Sequence, residues 1–214
     1  MEIQAIIFDL DGVLVHTDSY HYQAWQTIAN LNQLYFDEKM NHLLRGVSRE
    51  ESLQIILHEN HASMTQDKIK LTLEQKNEIY KNLILEMNET DVDETVRQTL
   101  LYLKENGYKL AIGSSSKNTK TILKQTKLFS LFDEISDGTM INNSKPDPEV
   151  FIKASDLLHK DPFYCIVVED AVAGIQAAKN AGMLTIAIGD AANKKTGDFN
   201  IEDFSEILTI LNIK

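Results

Sequence analysis

Apolar residues in this chain gather in short runs, separated by longer stretches with helical spacing. The runs are Ala5-Ile6-Ile7-Phe8, Tyr108-Lys109-Leu110-Ala111-Ile112, a brief Glu134-Ile135, Cys165-Ile166-Val167-Val168, and Leu184 to Ile188. Each is short and carries β-branched or aromatic side chains, which predicts strands. Helical patterns fall between them. One ends at Asn106 with Gly107 as its stop; others follow Thr119 and Asp147, run from Ala173 to Asn180, and lie near 204–211. Strand and helix in alternation predict an α/β fold: a doubly wound parallel sheet, Rossmann-like, with helices on both faces.

The stretch after the first run breaks that alternation, because it has no strand-like segment. Tyr22, Trp25, Ile28 and Ala29 recur at helical spacing. A short helix is expected over 37–44. Ser48 opens another, with Glu51 three residues on in the form of a capping box and Leu53, Ile56 and Leu57 on its apolar face. A longer helix is expected over 72–87. These elements predict a small helical cap domain at residues 18–88, inserted into a core made of residues 1–17 and 89–214. Only three prolines occur, so no Pro-rich linker separates the two.

Composition narrows the function classes. A chain of 214 residues has room for one domain plus a smaller insert. A net charge of −11 argues against coating a nucleic acid or a membrane surface. The single cysteine, Cys165, falls inside a predicted strand and reads as a small core residue. No basic region followed by an apolar signal core opens the sequence, and no apolar stretch reaches membrane-spanning length. A cytoplasmic protein is expected.

The candidate chemistry sits where predicted strands end. Asp9 and Asp11 follow the first run, with Gly12 to turn the backbone. Along a strand two residues span roughly 6–7 Å and side chains alternate faces, so Asp9 and Asp11 point the same way, offset along the chain. One carboxylate could then attack phosphorus while the other handles a proton. Glu169 and Asp170 end the fourth run, and in an open parallel sheet that end is where ligands bind. Like charges at 4 Å repel by about 4 kcal/mol at an effective dielectric of 20, so a counter-ion is called for. Oxygen-only ligands favour Mg2+ over calcium or zinc. Ser114, Ser115, Ser116, Lys117 and Asn118 follow the second strand, where a helix start offers N–H groups to phosphate. Lys145 stands before Pro146, a mount for one positive charge. Taken singly, a Ser-rich turn is usually a helix cap and a lysine before proline is usually solvated.

The order of these motifs resembles the haloacid dehalogenase superfamily of phosphotransferases. Asp9-Leu10-Asp11-Gly12-Val13, Ser114 after a strand, Lys145-Pro146-Asp147-Pro148 and Glu169-Asp170 carry the resemblance. Within it the chain looks most like the β-phosphoglucomutase branch. That narrowing rests on His21 with Trp25, on Gly46-Val47-Ser48-Arg49-Glu50, and on Ser116-Lys117-Asn118.

The resemblance implies an isomerase that interconverts β-D-glucose 1-phosphate and glucose 6-phosphate through an aspartyl phosphate and a 1,6-bisphosphate. It implies Asp9 as nucleophile and Asp11 as general acid and base. Asp9, Glu169, Asp170 and the backbone oxygen of Asp11 would hold magnesium, and Ser114 and Lys145 the transferring group. It assigns a second phosphate to Arg49 with Ser116, Lys117 and Asn118. Thr17 and His21 would couple cap closure to the placement of Asp11, and Lys76 would meet the sugar or Asp11. Two bland readings stand beside these: a lone lysine on a polar helix is usually solvated, and Trp25 and Tyr22 suit cap packing. The chain departs from the family pattern at His16, where aspartate is usual, at 91–96, which lacks Pro-Gly, and at Ala171, where serine is common. The partner implied is a small sugar phosphate, with no nucleic acid or membrane, and a monomer is expected. A sugar-phosphate phosphatase on the same scaffold shares every core residue; a dehalogenase or a non-catalytic binding protein fits less well.

Overall fold

The computed structural model describes residues 2–44 and 47–213. Among the described residues, six parallel strands form one sheet: β1 (Ala5–Phe8), β2 (Lys109–Gly113), β3 (Glu134–Ser136), β4 (Cys165–Glu169), β5 (Leu184–Ala187) and β6 (Phe199–Asn200). Their order is β3-β2-β1-β4-β5-β6. The winding reverses between β1 and β4, and a crevice at the carboxyl ends of the strands is expected at such a reversal. The α/β doubly wound sheet expected from the sequence is therefore present. β6 escaped it: two exposed residues on an edge are too short to make a pattern.

The chain divides into two compact units, residues 1–16 with 87–214, and residues 17–86. In the larger unit, alternate sheet residues face opposite layers. Ala5, Ile7, Ala111 and Val167 pack with Val150, Phe151 and Ala154 of the helix Glu149–Leu157 and with Ala177 and Ala178 of the helix Val172–Asn180. Phe8 points to the other side, where its ring lies 6.1 Å from Phe132 and 5.9 Å from Phe204. Cys165 is fully buried, and burial pushes its thiol up to about 11, which keeps it inert.

The smaller unit is helical: Asp18–Leu31, Glu38–Leu43, Arg49–Glu59 and Gln66–Ile84. Trp25, Ile28, Phe36, Met40, Leu53, Ile56, Leu57 and Leu73 fill its core. Asp37 and Ser48 cap the second and third helices through their side-chain oxygens, which accept from the amides of Met40 and Glu51. The last helix begins six residues before the expected 72, because Thr65 caps it by accepting from the amide of Lys68. The first residues, Gln66-Asp67-Lys68, are polar, so periodicity alone did not reveal them.

Candidate active site

Strand register builds the site. Phe8 is paired with Ile112 on one side and Val168 on the other. Asp9, one residue past β1, therefore lies level with Gly113 and Glu169, the last residues of β2 and β4. The backbone N–H of Asp9 still donates to the carbonyl of Val168 at 3.0 Å. Asp11 is different. β1 ends at Phe8, and Leu10 to Val15 form a tight turn in which Gly12 donates to Val15 at 2.8 Å. Strand alternation thus does not set the relation between Asp9 and Asp11; the turn does.

Lys145 joins the two strand ends. Its ammonium lies 2.5 Å from Asp9 Oδ1 and 2.6 Å from Glu169 Oε1, with only 8 % of the side chain exposed. The loop that carries it is tied down. Glu149 Oε2 accepts from the backbone N–H groups of Asn142 and Asn143 at 2.9 Å each, and Asp147 Oδ1 accepts from Glu149 N at 2.9 Å. The solvated lysine that usually precedes a proline is not found here. Its burial disfavours charge, but Asp9 and Glu169 more than offset that and hold its pKa above the ordinary lysine value.

Asp9, Glu169 and Asp170 each offer an oxygen, all within 4.8 Å of one another. Burial pushes the Asp9 carboxyl up to about 7; Lys145 opposes that rise, while Glu169 and Asp11 add to it. Burial and the charges of Glu169 and Asp9 push Asp170 up to about 8. Three carboxylates against one ammonium leave the cluster short of positive charge. An all-oxygen set with that deficit fits a hard divalent cation. The side chain of Asp11 is not part of the trio.

Two glycines make the trio possible, and only one was singled out from the sequence. Gly12 adopts φ +88°, and a Cβ there would lie 2.1 Å from Asp170 Oδ2. Gly174, inside the helix Val172–Asn180, would place a Cβ 1.8 Å from Glu169 Oε1. The only local signal is a lone glycine within a helical pattern, which costs about 1 kcal/mol relative to alanine and does not say what it approaches. Ala171 keeps a role through its backbone, donating its N–H to Glu169 Oε2 at 2.7 Å.

The segment after β2 lies beside β3. Ser114 is buried; its N–H donates to the Ser136 carbonyl at 3.1 Å, and its hydroxyl accepts from Ser116 N at 3.2 Å. Ser116 in turn accepts at its hydroxyl from Asn118 N at 3.2 Å. Thr119 starts a helix that ends at Gln125, with Asn118 before it and no side-chain cap. Lys117 is exposed. The Ser115 hydroxyl is buried and has no partner among the described residues.

The smaller unit holds a second group of sequence-predicted residues. Lys76 is 3 % exposed, which corrects the default of a solvated lysine on a polar helix. Its Nζ stands 2.8 Å from His21 Nδ1, 5.2 Å from the Trp25 ring centroid and 4.6 Å from that of Tyr80. His21 stacks on Tyr80 at 4.2 Å. An ammonium only donates, so His21 Nδ1 accepts and the imidazole is neutral. Burial and the charges of Lys76 and Arg49 hold the His21 pKa well below its usual value. Arg49 is half-buried and reaches the carbonyl of Leu73 at 3.4 Å. Thr17 is buried, and Trp25 packs in the core of the unit. Val47 is half-buried and Ser48 is a cap; Gly46 lies outside the described residues.

Comparison with known proteins identifies the family. The family model of haloacid dehalogenase-like hydrolases matches residues 6–188. The β-phosphoglucomutase of Bacillus subtilis is 36% identical over 207 residues, covering 96% of this chain and 92% of that protein. A phosphorylated carbohydrates phosphatase of Thermotoga maritima is 28% identical over 184 residues, covering 85% and 82%. The crystal structure of β-phosphoglucomutase from Clostridium difficile superposes with a TM-score of 0.88 at 35% identity, over 96% of this chain and 93% of that one. With its acidic trio and bridging lysine at the strand ends, the chain belongs to the haloacid dehalogenase-like hydrolase family.

Proposed function

We propose that the chain is a magnesium-dependent β-phosphoglucomutase, interconverting β-D-glucose 1-phosphate and glucose 6-phosphate. The phosphoryl-transfer chemistry, which a phosphatase would share, is supported by the Lys145 ammonium set between Asp9 and Glu169 at the ends of β1 and β4, beside Asp170. The 36% identical mutase of Bacillus subtilis supports the choice of reaction.

Asp9 attacks the phosphorus of a sugar bisphosphate. An Asp9 O–P bond forms and the sugar O–P bond breaks, with Asp11 giving a proton to the leaving sugar oxygen. On return, Asp11 takes the proton of the attacking sugar hydroxyl and the phosphoryl group leaves Asp9 for that oxygen. Lys145 and Ser114 hold the phosphoryl oxygens through transfer. Magnesium, bound by Asp9, Glu169, Asp170 and the Asp11 carbonyl, would neutralise charge on those oxygens. Arg49, with Ser116, Lys117 and Asn118, takes the second phosphate; the planar guanidinium suits two of its oxygens. Ser115, Val47, Ser48 and Gly46 belong to the same substrate-binding set, and Thr17, His21, Trp25 and Lys76 to the cap residues that respond to substrate. Exclusion of water is what makes a mutase rather than a hydrolase.

A sugar-phosphate phosphatase is the second reading, favoured by the similarity to the Thermotoga maritima phosphatase. The product decides between them. Purified protein is given β-glucose 1-phosphate, magnesium and a trace of the 1,6-bisphosphate. Glucose 6-phosphate is expected; free glucose with inorganic phosphate would overturn the mutase reading in favour of the phosphatase.

A further inference from the structure

We propose that Phe151 is a positioning residue for Lys145, its ring face holding the ammonium where it meets Asp9 and Glu169, in a slot that Gly113 leaves open. The proposal rests on Asp9 being the phosphoryl acceptor. Lys145 Nζ lies 4.7 Å from the Phe151 ring centroid, inside the roughly 6 Å range of a cation–π contact. Phe151 is fully buried. A desolvated ammonium gains more from a ring than an exposed one does.

The slot is built into the strand. A Cβ on Gly113 would stand 2.6 Å from Phe151 Cδ1 and 2.8 Å from Cε1. β2 therefore lacks a side chain at its last position, one residue before Ser114, and the ring occupies that volume. A lysine stem has four rotatable carbons, and two carboxylates leave the approach direction of its ammonium loosely set. The ring supplies another point of attachment. A further carboxylate there would over-neutralise the cation, whereas a ring attracts it without adding formal charge. The Glu149 hydrogen bonds described above fix the segment that bears both Lys145 and the start of the helix of Phe151.

A packing role alone would depend on ring volume and not on ring electrons. Phe151 is replaced by 4-fluoro-, 3,5-difluoro- and pentafluorophenylalanine, which nearly keep the shape and progressively weaken the negative ring face. The readouts are consumption of β-glucose 1-phosphate, whatever the product, and the unfolding midpoint. The kcat is expected to fall stepwise along the series, by about three- to thirtyfold at its end, with the midpoint steady. Phe151→Tyr should retain activity, and Phe151→Leu should fall with the most fluorinated variant. A flat kcat along the series, or a fall that tracks the midpoint, overturns the proposal while turnover still depends on Asp9. Turnover that survives Asp9→Asn overturns the underlying reading and this proposal with it.

Discussion

Each unit of this protein buries a lysine, and the two solve the problem of burial differently. Lys145 in the larger unit sits against two carboxylates as well as the Phe151 ring. Lys76 in the smaller unit sits against a neutral imidazole and the rings of Trp25 and Tyr80. In the first, charge meets charge and the lysine pKa is raised. In the second, the cation depresses its neighbour, and His21 resists protonation. One unit sets its lysine within an excess of carboxylates; the other presents a positive charge among neutral groups.

The largest expected effect tests whether the two lysines differ in kind. Lys145→Ala leaves the carboxylates of Asp9, Glu169 and Asp170 uncompensated and removes a cation from the transferring group. Turnover of β-glucose 1-phosphate should fall about 10³-fold, the upper range for losing one preorganised stabilising group. Lys76→Met removes the donor to the buried His21 Nδ1, which should cost about 1–3 kcal/mol of stability, and should lower turnover far less. Equal losses would erase the distinction.

The next separates the two phosphates. Arg49→Ala should lower mutase turnover about 100-fold, in line with truncating one partner of a charge-assisted contact. Hydrolysis of a small phosphate ester with no second phosphate should change much less. Parallel losses in steady-state assays would argue against Arg49 as the second anchor.

A smaller effect concerns Glu169 alone. Gly174→Ala drives a methyl into its carboxylate, so magnesium affinity measured by titration calorimetry should drop about 10- to 100-fold, as for disturbed metal-site support. The smallest effect is a pair of opposed pH responses. Asp9 and Asp170 are raised to about 7 and about 8, so the metal-free folded state binds more protons than the unfolded one. Stability should then fall as pH rises from about 4 to 8. His21 is lowered, so its contribution is complete above its unfolded pKa of about 6.5 and is lost as pH falls below that. Trp25, the single tryptophan, reports the smaller unit by fluorescence, and hydrogen exchange at β4 reports the larger. The midpoints should shift with opposite signs, by about 4–8 °C per kcal/mol in the smaller unit and about 2–4 °C in the larger. His21→Phe should flatten only the acid-side response.

The strand ends were readable because a run such as Cys165-Ile166-Val167-Val168 followed by Glu169-Asp170 is a local contrast between apolar and charged residues. The parallel sheet followed from the alternation of such runs with helices. Lys76 was not readable in the same way. Its burial depends on the packing of Gln66–Ile84 against Asp18–Leu31, and nothing adjacent in sequence reports it. Gly174 and Phe151 share that limit, since their importance arises from atoms of Glu169 and Lys145 that reach them only in the folded chain. Asp11 shows the opposite error. The two-residue rhythm of a strand was extended one turn too far, past Phe8 into the loop that Gly12 shapes.

Identification of the acceptor atom tests the account most directly. Protein is quenched with acid during turnover of β-glucose 1-phosphate, reduced with borohydride, digested and sequenced by mass spectrometry. Reduction turns an aspartyl phosphate into homoserine. Homoserine at position 9, absent without substrate, is the expected result. A phosphoryl group on another side chain, or turnover with position 9 unchanged throughout, would contradict it.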